Sequence, residues 1–141
     1  MAKYILNSAV LTSAGLYYYN LITPEKAREW YGDGADVFST IGYEETAEAL
    51  SQVLGRPVQV NRVTIKMQPG DEALVFRLVL PPGTPRIDPK DKGAIAQHVQ
   101  AGHWELGLLR RLKTEEAYDA AWLRPARWER EFLRGLKTEE A

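Results

Sequence analysis

Apolar residues run in short β-prone blocks through the first 41 positions, then switch to a helical period, then return to alternation. "KYILNSAVL" (3–11) reads as a buried strand, and "GLYYYNLI" (15–22), bounded by Gly15 and Thr23-Pro24, as a second. "TPEKAREWYGDG" carries helix-start chemistry, with Thr23 as the cap, Pro24 in the first helical position and Glu25 near the positive end. That helix should stop at Gly32 or Gly34. "VFSTI" is a short strand that ends at a glycine and passes at once into a helix from about Glu44 to Leu54. Ala47, Leu50 and Leu54 lie at helical spacing there, with Gly55 and Pro57 as stop signals.

"VQVNRVTIKM" and "EALVFRLVL", joined by "QPGD", read as a hairpin. Val63, Ile65 and Met67 share one parity, and Arg62 and Lys66 the other, so the pattern predicts an apolar face and a basic face. A basic face on a hairpin is either a phosphate clamp or a solvated surface, and the spacing favours the surface. "PPGTPRIDPKDKG" is a surface loop by its proline and glycine content. A short helix over "AIAQHVQAG" and a strand over "HWELGLLRRL" complete the body. The remainder, 113–141, reads as a helical extension broken at Pro125, with "LKTEEA" at both 112–117 and 136–141. Trp122, Trp128, Phe132 and Leu136 give it apolar anchors for packing on the body or on a partner. The fold class expected is α/β (α+β): a small mixed sheet flanked by helices, in a domain over 1–112, followed by that extension.

Composition narrows the chemistry. A length of 141 residues with 45% hydrophobic residues suits one domain with a real core. A formal net charge of −1 gives no global field for long nucleic acid, so a phosphate ligand must be caught by a local cluster. The absence of cysteine excludes disulfides, thiolate metal sites and a cysteine nucleophile. The opening "MAKYILNSAVLTSAG" lacks a basic region followed by a long apolar run, so neither a signal peptide nor a membrane span is expected, and a cytoplasmic location is the default. No glycine-rich phosphate loop, HExxH or G-x-S-x-G occurs. His98 and His103 are five apart around Gly102, whereas a metal pair on one helix needs three or four, so no metal site and no cofactor are expected. Glu44, Glu45 and Glu48 are either general bases or, more ordinarily, complements to a helix N-terminus. What stands out is the helix mouth at Gly42–Thr46, where free backbone N–H groups and the Thr46 hydroxyl offer an anion site beside Tyr43.

Three stretches, "YILNSAVLTSAG", "IGYEETAEALSQVLG" with "VNRVTIKMQPGDEALVFRL", and "WELGLLRRL", stand in an order that resembles the viral ring nuclease family. These are small anti-CRISPR proteins, and the resemblance covers about residues 3–112. It implies a symmetric dimer that holds cyclic tetra-adenylate, the second messenger of type III CRISPR systems, across its interface. Active members cut the ring without metal: a ribose 2′-hydroxyl attacks the neighbouring phosphate and leaves a linear product with a cyclic phosphate end. In the family a histidine in "IGH" at the helix mouth protonates the leaving oxygen, and a glutamate in a loop after the long central run acts on the hydroxyl.

This chain departs at both places, with Tyr43 at the histidine position and Pro82 before Gly83 in the loop. The segment between Arg77 and Gly83 is also shorter than in typical members, and an arginine just before the loop is missing. A positioned acid or base is worth about 10²–10⁴ in rate. Tyrosine, with an ordinary pKa of about 10, holds its proton too tightly to replace histidine near neutral pH. Proline titrates nowhere. The expectation is therefore a ring that is bound and sequestered with weak or no cleavage, through Asn7, Ser8, Thr12, Ser13, Gly42, Glu45, Thr46, Arg62, Lys66 and Arg77, with Tyr43 in the catalytic position. Tyr17–Tyr19 offer stacking surface or, more simply, strand packing. Two alternatives stand beside it: an active nuclease in which His98, His103, Glu44 or Glu45 supplies the proton transfers, and a fold retained for protein–protein contact through the extension.

Overall fold

The computed structural model describes residues 1–8 and 13–113. Five strands and three helices follow one another as β1 (Lys3–Leu6), β2 (Tyr17–Leu21), α1 (Pro24–Tyr31), β3 (Val37–Ser39), α2 (Glu44–Leu54), β4 (Glu72–Leu78), α3 (Lys92–Gln100) and β5 (Trp104–Arg111). They form one mixed sheet of order β2-β5-β4-β1-β3, an α+β fold. β1 runs parallel to both β3 and β4, while β5 is antiparallel to β4 and β2.

Alternation along the strands sorts side chains to two faces. Ile5, Leu74, Phe76 and Leu106 face the helices and join Ala27 and Tyr31 of α1, Ala47, Leu50 and Leu54 of α2 and Ile95 of α3 in the main core. Ala73, Val75 and Leu109 face the other way, under Met67 and Ile65. That second face is covered thinly, and Leu21 and Phe38 are about half exposed.

Local chemistry sets the helix ends. Thr23 Oγ1 accepts from the Lys26 N–H, Pro24 sits in the first turn and Gly32 closes α1. α2 ends at Gly55 in the left-handed region. Asp91 accepts from the Ala94 N–H, which starts α3 two residues before the apolar period suggests. Arg28 donates to the Val53 carbonyl, Tyr31 Oη donates to the Pro57 carbonyl, and Ser51 Oγ accepts from the Val58 N–H. These three bonds hold the chain leaving α2 against the helices.

Two sequence expectations need correction, and a third lies outside the described residues. The predicted hairpin does not form: residues 58–67 are not part of the sheet. Both edges of β4 are already taken, with Leu74 opposite Ile5 of β1 on one side and Leu108 of β5 on the other, so no ladder position remains beside it. The "QPGD" turn does form, closed by the Asp71 N–H on the Gln68 carbonyl with Gly70 at positive φ. The first strand ends at Leu6, not residue 11, and Asn7 and Ser8 form a bend. The Thr40 N–H and hydroxyl both donate to the Ile5 carbonyl, the last bonds of β1 with the β3 side, and residues 9–11 of the 3–11 reading lie outside the described residues. Of the expected helical extension over 113–141, only Lys113 is described; Pro125, Trp122, Trp128, Phe132 and Leu136 lie outside the described residues.

Candidate functional site

Because β1, β3 and β4 are parallel, their carboxyl ends lie on one edge of the sheet, the place where open α/β sheets take ligands. β1 delivers Asn7 and Ser8 there, β3 delivers Thr40 to Tyr43 and the start of α2, and β4 delivers Arg77 and the loop after it. Two recesses result, one on each side of the sheet edge. One, of about 210 Å³, is bordered by Asn7, Thr46 and Arg77, with Phe76, Ile87 and Pro89 as apolar walls. The other, of about 200 Å³, has Asn7, Ser8, Thr40 and Thr64 as polar groups over Tyr17 and Leu109. Asn7 borders both.

Tyr43 is the N-cap of α2, with extended φ −126° and ψ 135°, yet its side chain caps nothing. Its ring instead lies under Arg62, whose guanidinium carbon is 5.1 Å from the ring centroid. The Asn61 N–H donates to the Ile41 carbonyl at 2.8 Å, and this bond brings Arg62 to the helix mouth. Gly42 allows the approach: a Cβ there would stand 3.1 Å from Arg62 Cγ. The arrangement therefore puts a guanidinium, a phenol and the first-turn N–H groups of an 11-residue helix in one place.

The remaining sequence candidates divide. Arg77 reaches its recess but is paired through Nε with Glu105 Oε1, directly across the β4–β5 ladder. Ser13 is a structural peg: its hydroxyl donates to the Met67 carbonyl and hydrogen-bonds Tyr17 Oη. Lys66 is exposed, and neither recess includes it among the described residues. Glu45 borders α3 with Glu48 and Lys92 and is in the lining of neither recess. Lys92 pairs with Glu48 at 2.9 Å, and that hydrogen bond raises its ammonium pKa, with Glu44 and Glu45 adding to the effect. Thr12 lies outside the described residues. Pro82 occupies an exposed turn in which the Thr84 N–H donates to the Pro81 carbonyl and Gly83 has φ +83°, the layout of a type II turn. Tyr17 borders the second recess, while Tyr18 and Tyr19 are on the edge strand and substantially exposed.

His98 and His103 meet each other: their Nδ1 atoms are 2.9 Å apart, at the end of α3 opposite the Lys92–Glu48 pair. Sequence reasoning missed Thr40, Thr64 and the Arg77–Glu105 pair. Thr40 was findable, since it stands at a strand-to-helix mouth; the ion pair needed the β4–β5 register.

Among the described residues no helix is long and apolar enough to cross a membrane. A family model described as STIV B116-like matches residues 3–82, more than half of the chain. Over 75 residues the sequence is 36% identical to the uncharacterized protein YddF of Bacillus subtilis (strain 168), an alignment that spans 52% of this chain and 68% of that protein. Among solved structures, B116 of Sulfolobus turreted icosahedral virus superposes with a TM-score of 0.58 at 17% identity, over 79% of this chain and 100% of that one. At that identity the match speaks for the fold.

Proposed function

Since the chain belongs to the STIV B116-like family, we propose that it is a binding protein for a small cyclic oligonucleotide, cyclic tetra-adenylate, which it holds and does not efficiently cut. The observation that carries this reading is the Tyr43–Arg62 stack at the mouth of α2. A guanidinium and helix N–H groups suit phosphate, the phenol and the Tyr17-floored recess suit a base, and among the described residues no histidine lines either recess to donate the proton that ring opening needs. Each recess, at about 200 Å³, is below the roughly 300–1,000 Å³ of ligand pockets in general. A four-nucleotide ring then needs the recesses of two copies, and a two-fold homodimer offers the same contacts to each half of the ring.

His98 and His103 face each other through their Nδ1 atoms, and among the described residues neither recess has a histidine in its lining, which supports holding over cutting. On this reading the protein antagonises or tunes type III CRISPR signalling by keeping the messenger from its effectors. The test is one incubation with labelled cyclic tetra-adenylate, read for both retention and product. Retention of intact ring at one ring per two chains is expected. Linear adenylates accumulating over many turnovers reject sequestration, and no retention at all rejects nucleotide binding. The double variant Tyr43→His, Pro82→Glu should gain cleavage if only the proton-handling groups are missing.

A further inference from the structure

We infer that His98 and His103 form a two-nitrogen site for a divalent cation that favours square-planar geometry, Cu(II) or Ni(II). The inference is independent of the nucleotide reading and rests on how the α3–β5 turn is built. Spacing of five places the two histidines on different elements, which defeats a one-helix argument. Gly102, at φ +77°, reverses the chain between them, and the His103 N–H closes the turn on the His98 carbonyl at 2.9 Å. The turn is braced on both sides. Trp104 Nε1 donates to the Val99 carbonyl at 2.9 Å, the Trp104 ring packs on buried Phe76, and the Val79 N–H donates to the His103 carbonyl at 2.8 Å.

That turn brings the two rings together, with the Nδ1 atoms 2.9 Å apart and the ring planes at 42°. In the neutral pair one imidazole carries its proton on Nδ1 and donates to the other. A cation replaces that hydrogen bond from a position beside the N···N line. Each ring turns to aim its Nδ1 lone pair at the metal, the displaced proton moves to the Nε2 of the same ring, and both rings become Nε2–H tautomers with no net proton released. With metal–nitrogen bonds of about 2.0 Å, nitrogens held near their present separation of 2.9 Å subtend about 90° at the ion, an angle that fits adjacent positions of a square-planar ion.

Two further features agree. His98 is in the last turn of α3, where the helix dipole is negative and attracts a cation. Among the described residues no third histidine, cysteine, aspartate or glutamate completes a cluster, and the ligands those residues offer are two neutral imidazoles. That set falls short of the three or four protein ligands of zinc sites and matches imidazole coordination of copper or nickel.

The probe is the metal alone, Cu(II) added to the intact chain, with electron paramagnetic resonance and calorimetry as readouts. One equivalent is expected, with a signal from two equatorial nitrogens and a raised melting temperature. His98→Ala and His103→Ala should each weaken binding at least tenfold, and the double variant should abolish it. His98→Gln and His103→Gln, which retain hydrogen-bonding capacity, guard against a folding defect, with circular dichroism as the control. A spectrum with one nitrogen, affinity unchanged in both single variants, or a signal that survives in the double variant and so belongs to the amino terminus, each overturns the proposal. No Cu(II) binding below millimolar concentration overturns it as well and leaves the pair as a hydrogen bond only.

Discussion

Gly42→Ala separates what holds the protein together from what holds its ligand. Gly42 is not one of the positive-φ glycines, so its backbone accepts an L-residue. The added methyl would stand 3.1 Å from Arg62 Cγ, a contact that obliges the arginine stem to move by a few tenths of an ångström. The prediction is that this shift carries the guanidinium off the Tyr43 ring, which at this exposed site should cost about 0.5–1 kcal/mol. Against it, replacing glycine reduces the entropy of the unfolded chain and stabilises by about 0.4–1 kcal/mol. The two nearly cancel, so the urea midpoint should hardly change. Ligand affinity should not be spared. A guanidinium–phosphate hydrogen bond contributes about 1.5–3 kcal/mol, and at about 1.4 kcal/mol per factor of ten its loss is roughly tenfold to a hundredfold. Urea unfolding and calorimetric titration with cyclic tetra-adenylate measure the two effects separately, with Arg62→Ala as the reference for complete removal. A stability loss above about 2 kcal/mol would show that Gly42 is needed by the backbone and not by Arg62. Full affinity in both variants would remove Arg62 from the ligand site.

Other changes have equally definite outcomes. Glu105→Gln should release Arg77 from its ion pair and strengthen anion binding at low salt, while costing less than about 1 kcal/mol because the pair is partly exposed; calorimetry in low and high salt reads the first and urea unfolding the second. Phe76→Ala empties a fully buried position in the main core and should cost about 3–5 kcal/mol in the same unfolding assay. Burial raises the pKa of the Tyr31 hydroxyl above its ordinary value. The neutral form is thus favoured in the fold, its stabilisation is complete below about pH 10, and it is lost as pH climbs through the folded value. Tyr31→Phe should flatten that alkaline loss, and an unchanged pH profile would assign it to other groups.

The parts of the fold set by nearby residues were legible in the sequence. Thr23-Pro24 announced α1, and α2 spans Glu44–Leu54 as its apolar spacing and Gly55 require. Even the parity of Val63, Ile65 and Met67 carried information, since Ile65 and Met67 do cover the sheet. What the pattern could not supply was the partner: β-propensity in 58–67 says nothing of whether β4 has an edge free, and β1 and β5 had taken both. The site shows the same division. Tyr43, Thr46 and Arg77 were placed by their own elements, while the neutralising Glu105 and the meeting of His98 with His103 depend on register and on one glycine turn.

The sheet order also decides where the chain can be cut. β2 is an edge strand whose neighbour in the sheet is β5, and β5 begins at Trp104, well past residue 82 where the family match stops. A fragment ending there would keep β2 and lose the surface it is laced to, and would bare one side of β4 as well. Such a piece carries an unpaired "YYYNL" strand, which invites aggregation. For anyone dissecting this protein, the smallest autonomous unit must reach at least Arg111.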